Sequence, residues 1–241
     1  MNKVRLVSYS QPVEPPEIKS KNDANFSRIK NAEDLIAYCA RVSNPSNQAN
    51  TKTASRLLSY LIKERHWSPF EMVSACLEIE TTRDIARQML RHRSFSFQEF
   101  SQRYADPQEM ENAFSLRDTR LQDPKNRQNS IEIEQDPSIQ LEASKQELVT
   151  EFRRRQHGII NQAKRTYDWA VENGIAKEQA RVVLPEGLTS SRLYVNGSLR
   201  SWIHYIELRS GHGTQLEHSD VARKCADALE PVFPLIRKFV N

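Results

Sequence analysis

The sequence predicts an α+β fold, helix-dominated, with a small and mostly antiparallel sheet. Apolar residues recur at helical spacing through most of the chain, while only two stretches alternate apolar with polar residues. Alternating strand–helix–strand units and internal repeats are both missing from the pattern. At 241 residues the chain can bury a substantial core, and it reads as one domain over 1–241 with a polar surface excursion at about 106–137.

Taken in order, Val4, Leu6 and Ser8 form a short strand, and Gln11 to Asn25, with three prolines, a loop. Asn31 opens a helix through about Val42, and Leu57, Leu58, Leu61 and Ile62 place a second over Thr51 to Arg65. Ser68 as cap, Pro69 at the first position and Glu71 mark a further helix start. Val73, Ala75, Leu77 and Ile79 then alternate with polar neighbours in a strand ending at Thr81. Thr82 caps the next helix, whose apolar side is Ile85 and Met89 and on which Arg83, Arg87 and Arg91 recur every four residues. Beyond the polar stretch, Leu141 to Asn173 is a long helix stopped by Gly174, which suits a left-handed cap. A short helix around Glu178–Arg181 ends near Pro185. Ser198–Arg209 and Glu217–Phe239 are two more, with breaks at Gly211–Gly213, Pro231 and Pro234.

Composition removes several function classes. Only six glycines occur, none before Gly158, so the chain has neither a G-x-G-x-x-G fingerprint nor a G-x-x-x-x-G-K-[ST] phosphate loop. Any nucleotide must be held by side chains. The formal net charge of +4 permits anionic partners without demanding nucleic acid, and 23 of the 35 basic residues are arginine, whose rigid fork suits carboxylate or phosphate. Cys39, Cys76 and Cys225 are odd in number and far apart, which argues against a disulfide framework and a zinc site; no metal ligand set is expected. No segment approaches the apolar length of a membrane span, and Met1–Ser10 lacks the apolar core of a signal peptide, so a cytoplasmic protein is expected.

The densest functional signal runs from Gln88 to Tyr104, with arginines, His92, hydroxyls, amides and Glu99 interleaved with Phe95, Phe97 and Phe100. On the residues alone, a solvated basic helix end and a single-strand nucleic-acid surface with stacked Phe compete with a small-anion site. The phenylalanines speak against the first, because they bury the segment; the small net charge speaks against the second.

Here a resemblance becomes specific. Arg91, His92, Arg93, Ser96, Glu99, Ser101 and Arg103 match the signature R-H-R-x-x-S-x-N-E-x-S-x-R of the flavin-dependent thymidylate synthases, the ThyX class, with Gln98 at the Asn position. The segment from His66 through Ser68 and Pro69 to Glu71 resembles the family's H-x-[ST]-P-F-E, and Ala180 to Pro185 its A-R-x-x-L-P. Arg200, Ser201 and Trp202, followed by Leu208 and Arg209, resemble its last nucleotide-binding helix. The likeness covers about His66 to the end. It departs at Ser198, where the family has Asn, at His204, where Asn is common, and at Gly213, the usual place of a His that here stands one position early as His212.

The resemblance implies a ThyX-like fold and a reaction that methylates dUMP to dTMP, with methylenetetrahydrofolate as carbon donor and NADPH-reduced FAD as hydride source. It assigns Ser68, Arg91, His92, Arg93, Glu99, Ser198, Leu199, Arg200, His204 and His66 to the flavin. To the nucleotide it assigns Gln88, Arg91, Glu99, Phe100, Ser101, Gln102, Arg103, Arg181 and Arg209. Family members are homotetramers with shared sites, so the same assembly is expected here, with dUMP and folate as partners and neither nucleic acid nor membrane. Arg209 is the catalytic candidate: a guanidinium beside the uracil favours ionised N3 and polarises the C5=C6 bond, with no covalent enzyme nucleophile. The competing reading of Arg209 is an ordinary salt bridge to Glu207 or Glu217. Ser101, flanked by arginines, is read as a phosphate donor rather than a nucleophile.

Overall fold

The computed structural model describes residues 2–13, 26–133 and 142–241. The loop expected over Gln11–Asn25 lies outside the described residues from position 14 onward, as do positions 134–137 of the polar stretch and the expected helix start at Leu141. Strand β1 (Lys3–Tyr9) is followed by helices α1 (Ala32–Ala40) and α2 (Ala54–Lys63), then β2 (Ser74–Thr82), α3 (Arg83–Met89) and β3 (Ser96–Glu99). A ribbon of β4 (Arg120–Gln122) and β5 (Ser130–Glu132) precedes the long α4 (Glu142–Glu172) and the turn-length α5 (Lys177–Ala180). The chain ends in β6 (Ser190–Ser198), α6 (Leu199–Ser210) and α7 (Leu216–Leu229).

The main sheet is four-stranded in the order β1-β2-β6-β3, antiparallel at every pairing, as the sequence predicts. Leu77 faces Leu6 on one side and Val195 on the other. Ala75, Leu77, Ile79, Leu193 and Val195 all point into one core with Phe70, Trp202, Tyr205 and Phe233. Each fully buried large side chain of this kind contributes roughly 1.5–3 kcal/mol relative to exposure. The Trp202 indole is satisfied as well as buried, donating to the Ala75 carbonyl at 3.0 Å.

Three local expectations change. Strand β6 was not among the predicted elements: its inward positions are Leu193, Val195 and Gly197, and a glycine in the third place breaks the apolar alternation. Ser68 lies inside a 3-10 turn, Ser68–Met72, whose N-cap is Trp67, so its hydroxyl caps nothing. Thr82 holds the N-cap position of α3 without capping it: its hydroxyl oxygen accepts from the Arg117 guanidinium at 2.6 Å while its proton goes to the Asp84 carboxylate at 2.6 Å. By contrast, Asn31 accepts from the Asp34 amide at 2.8 Å, and Gly174 ends α4 at φ 78°.

Gly197 is required by close approach. A Cβ there would stand 2.3 and 2.6 Å from ring carbons of Phe95, and that ring is pinned by Trp202 at 4.5 Å between centroids. Gly197→Ala is expected to destabilise the protein by about 1–3 kcal/mol through overpacking. Chemical denaturation measures it; an unchanged midpoint would show that Phe95 is free to move.

The stretch 106–133 is anchored to the body. Gln156 of α4 brackets the Arg117 backbone, accepting from its N–H at 2.7 Å and donating to its carbonyl at 3.0 Å. The Arg117 guanidinium meets Asp84 at 2.6 Å, and Met110 and Ile133 are buried.

Candidate functional site

Helix α6 positions the first group of predicted residues. Leu199, Trp202, Ile203, Tyr205 and Ile206 face the core, which leaves Arg200, His204 and Glu207 at i, i+4, i+7 on the outer face. These three, with Arg65, Glu71 and Ser94, line a cavity of about 530 Å³. Arg200 pairs with Glu71 at 2.7 Å. Ser198, the N-cap of α6, accepts from the Ser201 amide at 3.3 Å, and its hydroxyl together with Arg200 holds the Glu71 carboxyl below its ordinary range. Leu199 is buried; Ser68 and His66 are exposed on either side of Trp67, which lines this cavity, with His66 edge-on to Tyr60.

A second group gathers where the C-terminal end of α3 meets α6 and α7. The Arg209 Nε–H donates to His92 Nε2 at 2.9 Å. Beneath them, His218 Nδ1 lies 3.1 Å from Gln88 Oε1, and His218 Nε2 lies 3.1 Å from the Tyr205 hydroxyl. The salt-bridge alternative for Arg209 does not occur, because Glu217 is taken by Arg120 and Arg117 from the polar stretch. Burial and the Arg209 charge push the His92 pKa down to about 4 and that of His218 to about 3. Both imidazoles are therefore neutral at pH 7, and the Arg209 charge has no carboxylate partner among the described residues.

The third group lies along the segment after β3. Glu99 accepts from Ser191 at 2.8 Å and meets Arg83 at 3.4 Å. The Phe100 amide donates to the Arg192 carbonyl at 2.9 Å, and a turn at Ser101 leads to Arg103, which meets Glu178 at 3.5 Å. Arg181 donates to the Glu178 carbonyl and lines a cavity of about 430 Å³ with Arg83, Arg87 and Gln102. Gln102 is only 3% exposed, and its Nε2 finds no partner among the described residues. The two cavities share no lining residue, so one chain does not bring Arg181 and Arg200 to a common pocket. Arg91 and Arg93 project from the connecting turn, exposed.

Residues 26–235 match the family model described as thymidylate synthase complementing protein. The probable flavin-dependent thymidylate synthase of Paramecium bursaria Chlorella virus 1 is 48% identical over 237 residues, 98% of each chain. The chain belongs to the flavin-dependent thymidylate synthase family. The Synechocystis sp. flavin-dependent thymidylate synthase is 46% identical over 204 residues, 85% of this chain and 87% of that one. Among solved structures, the UMP/dUMP methylase PolB from Streptomyces cacaoi, bound with 5-Br dUMP, superposes with a TM-score of 0.75 at 24% identity, covering 99% of this chain and 94% of that one. That likeness is one of fold.

The family's motifs thus sit in three clusters of this fold, and the buried pair Tyr205 and His218 was missed from the sequence. A single His in a charged helix start carries no pattern signal; only its contact with Gln88, 130 residues away, reveals it. No helix among the described residues is long and apolar enough to cross a membrane.

The neutral histidines set a pH dependence. Their folded pKa values lie below the ordinary 6.5, so below about pH 6.5 the unfolded chain takes up protons that the folded one refuses. Stability is fully present above that value and is lost as pH falls toward 4. The melting temperature is expected to drop already between pH 7 and 5, above the range where most carboxylates titrate. A flat profile over that interval would contradict the buried neutral pair.

Proposed function

We propose that this chain methylates dUMP at uracil C5 to give dTMP, with methylenetetrahydrofolate as carbon donor and NADPH as reductant. The observation that carries the reading is Arg209, a guanidinium held by a neutral imidazole rather than a carboxylate, so its charge remains for a substrate anion. The donor set of the larger cavity, with Arg65, Ser94, Arg200 and His204, fits the phosphates and ring edges of FAD, and Ser68, His66, Arg91 and Arg93 are exposed close in sequence to its lining residues Arg65, Trp67 and Ser94. FAD held by these residues would, once reduced, supply the hydride that the nucleotide needs.

The chain's own residues do the rest. Arg209 favours the N3 anion of uracil and polarises the C5=C6 bond, with His92 fixing the guanidinium plane. Arg181 and the Gln102 amide, which line the smaller cavity, hold the nucleotide phosphate, with Arg103 and the Ser101 hydroxyl from the same segment as further donors and Glu99 and Phe100 preceding them. A thiol nucleophile is poorly served: burial pushes all three cysteine thiols up, Cys225 most of all. The separation of the two cavities on one chain supports a homotetramer with shared sites. Exposed Leu148, Phe152, Ile159 and Trp169 along α4 supply an apolar face for that assembly.

The test is the visible spectrum of the purified protein, followed by dUMP-dependent oxidation of the NADPH-reduced enzyme with methylenetetrahydrofolate. A yellow protein that makes dTMP is expected. A colourless one that takes up no FAD would overturn the reading.

A further inference from the structure

The buried Tyr205 and His218 belong to a hydrogen-bond chain whose direction is forced. Glu217 is an ionised carboxylate tied to Arg117 and Arg120, so it only accepts. The group 2.9 Å from its Oε2 is therefore the Gln215 amide nitrogen. That turns Gln215 Oε1 toward Gln88, which must present Nε2 to it, at 2.8 Å. Gln88 Oε1 then faces His218 Nδ1 at 3.1 Å and can only accept, so Nδ1 carries the hydrogen. In the neutral ring Nε2 is then an acceptor, and the Tyr205 hydroxyl donates to it at 3.1 Å. Each step leaves one choice.

We propose that Tyr205 and His218 are positioning residues for Gln88: the one-way chain Tyr205→His218→Gln88→Gln215→Glu217 locks the Gln88 amide so that its second Nε2 hydrogen is a fixed donor to an acceptor oxygen of the bound nucleotide. The inference rests on the reading of the site as a nucleotide site and adds which end of Gln88 the nucleotide meets. An amide free to turn presents a donor in one orientation and an acceptor in the other. Locking it removes the wrong half of that ensemble before binding and rejects a ligand group that is itself a donor at that place. Tyr205 is suited to anchoring the chain, being fully buried and edge-on to His92 at 5.0 Å between centroids, so its phenol cannot swing away. The other end reaches the polar stretch, since Arg117 and Arg120 hold Glu217 there. That stretch therefore acts on the orientation of Gln88 from outside the site.

The experiment uses the full-length flavin-loaded enzyme and dUMP, read as dUMP affinity by titration, KM against kcat, and thermal melting. His218→Leu is expected to weaken dUMP about tenfold, in KM more than in kcat, the size of one lost oriented hydrogen bond. Tyr205→Phe, which keeps the ring packing, is expected to weaken it about threefold, because His218 Nε2 then lacks its donor and the ring that steadies Gln88 is held less firmly. His218→Asn, whose Nδ2 stands near the place of Nδ1, should recover most of the loss. The deciding measurement is a double-mutant cycle: in a Gln88→Leu background, His218→Leu should cost no further dUMP affinity. If it costs as much there as in the wild type, or if Tyr205→Phe and His218→Leu both bind dUMP normally while Gln88→Leu does not, the positioning role is overturned and the nucleotide reading stands. A flavin-loaded wild type that binds no dUMP overturns both. Should His218→Leu fail to fold, the Tyr205→Phe and His218→Asn pair, together with the nitrogen NMR shift of His218 Nε2 as an unprotonated acceptor, decides the same question.

Discussion

Arg209→Ala is expected to keep its flavin and lose turnover about 100- to 1000-fold. The expectation follows from what Arg209 touches. Its Nε–H is used by His92, and none of the carboxylates near it in sequence is bound to it: Glu207 faces the larger cavity and Glu217 is paired with Arg117 and Arg120. On the proposed reading, a charge without a countercharge among the described residues suits an anion that forms during reaction, the N3-deprotonated uracil. Flavin is retained because Arg200, Glu71, Ser94 and His204 line the larger cavity and Arg209 does not. Arg209→Lys preserves charge but loses the planar fork and the Nε contact, so it should fall between the two, about tenfold below the wild type. The measurement is steady-state dTMP formation alongside the flavin-to-protein ratio from the visible spectrum. A variant that turns over normally would remove Arg209 from catalysis; one that loses its flavin would place it in cofactor binding instead.

How much of this was legible in the sequence depends on the range of the interaction. The signature from Arg91 to Arg103 was readable because its residues are contiguous in sequence, although they run from a turn through β3 into another turn, and the helix from Ser198 to Arg209 because its period fixes which residues share a face. Strand β6 was not, because the place where its alternation fails is Gly197, and the reason for glycine there is the Phe95 ring, 102 positions earlier in sequence. The salt-bridge alternative for Arg209 was equally local, reaching for Glu207 and Glu217 as near neighbours. The structure resolves it through residues 117 and 120 of a segment that reads in sequence as a polar surface excursion. His218 shows the same limit: nothing near it in sequence marks it, and its partners come from α3 and α6. Local sequence pattern therefore located the side chains on which the proposed site draws, while their buried long-range contacts stayed hidden until the chain was folded.

The second large effect is expected at the smaller cavity. Arg181→Ala should raise the KM for dUMP about 10- to 100-fold with kcat nearly unchanged at saturation, the cost of one charge-assisted contact to phosphate. Arg181 contributes to this site in a way that Arg103 does not, since Arg103 already meets the Glu178 carboxylate whereas Arg181 reaches only that residue's backbone carbonyl. Gln102 gives the assignment an independent check. Its amide nitrogen is buried without a partner among the described residues, a state that costs about 1–3 kcal/mol unless a ligand supplies the missing acceptor. Gln102→Leu, which removes the orphan and keeps much of the volume, should therefore melt higher than the wild type without nucleotide. On adding dUMP the order should narrow or reverse, because only the wild type gains the bond. A phosphate held elsewhere predicts the opposite combination: equal stabilisation of both proteins by dUMP, and an Arg181→Ala variant with unaltered KM. Melting curves with and without dUMP, set beside the Arg181→Ala kinetics, separate the two cases, because a merely structural defect at either position would lower stability in both conditions and could not raise it in one.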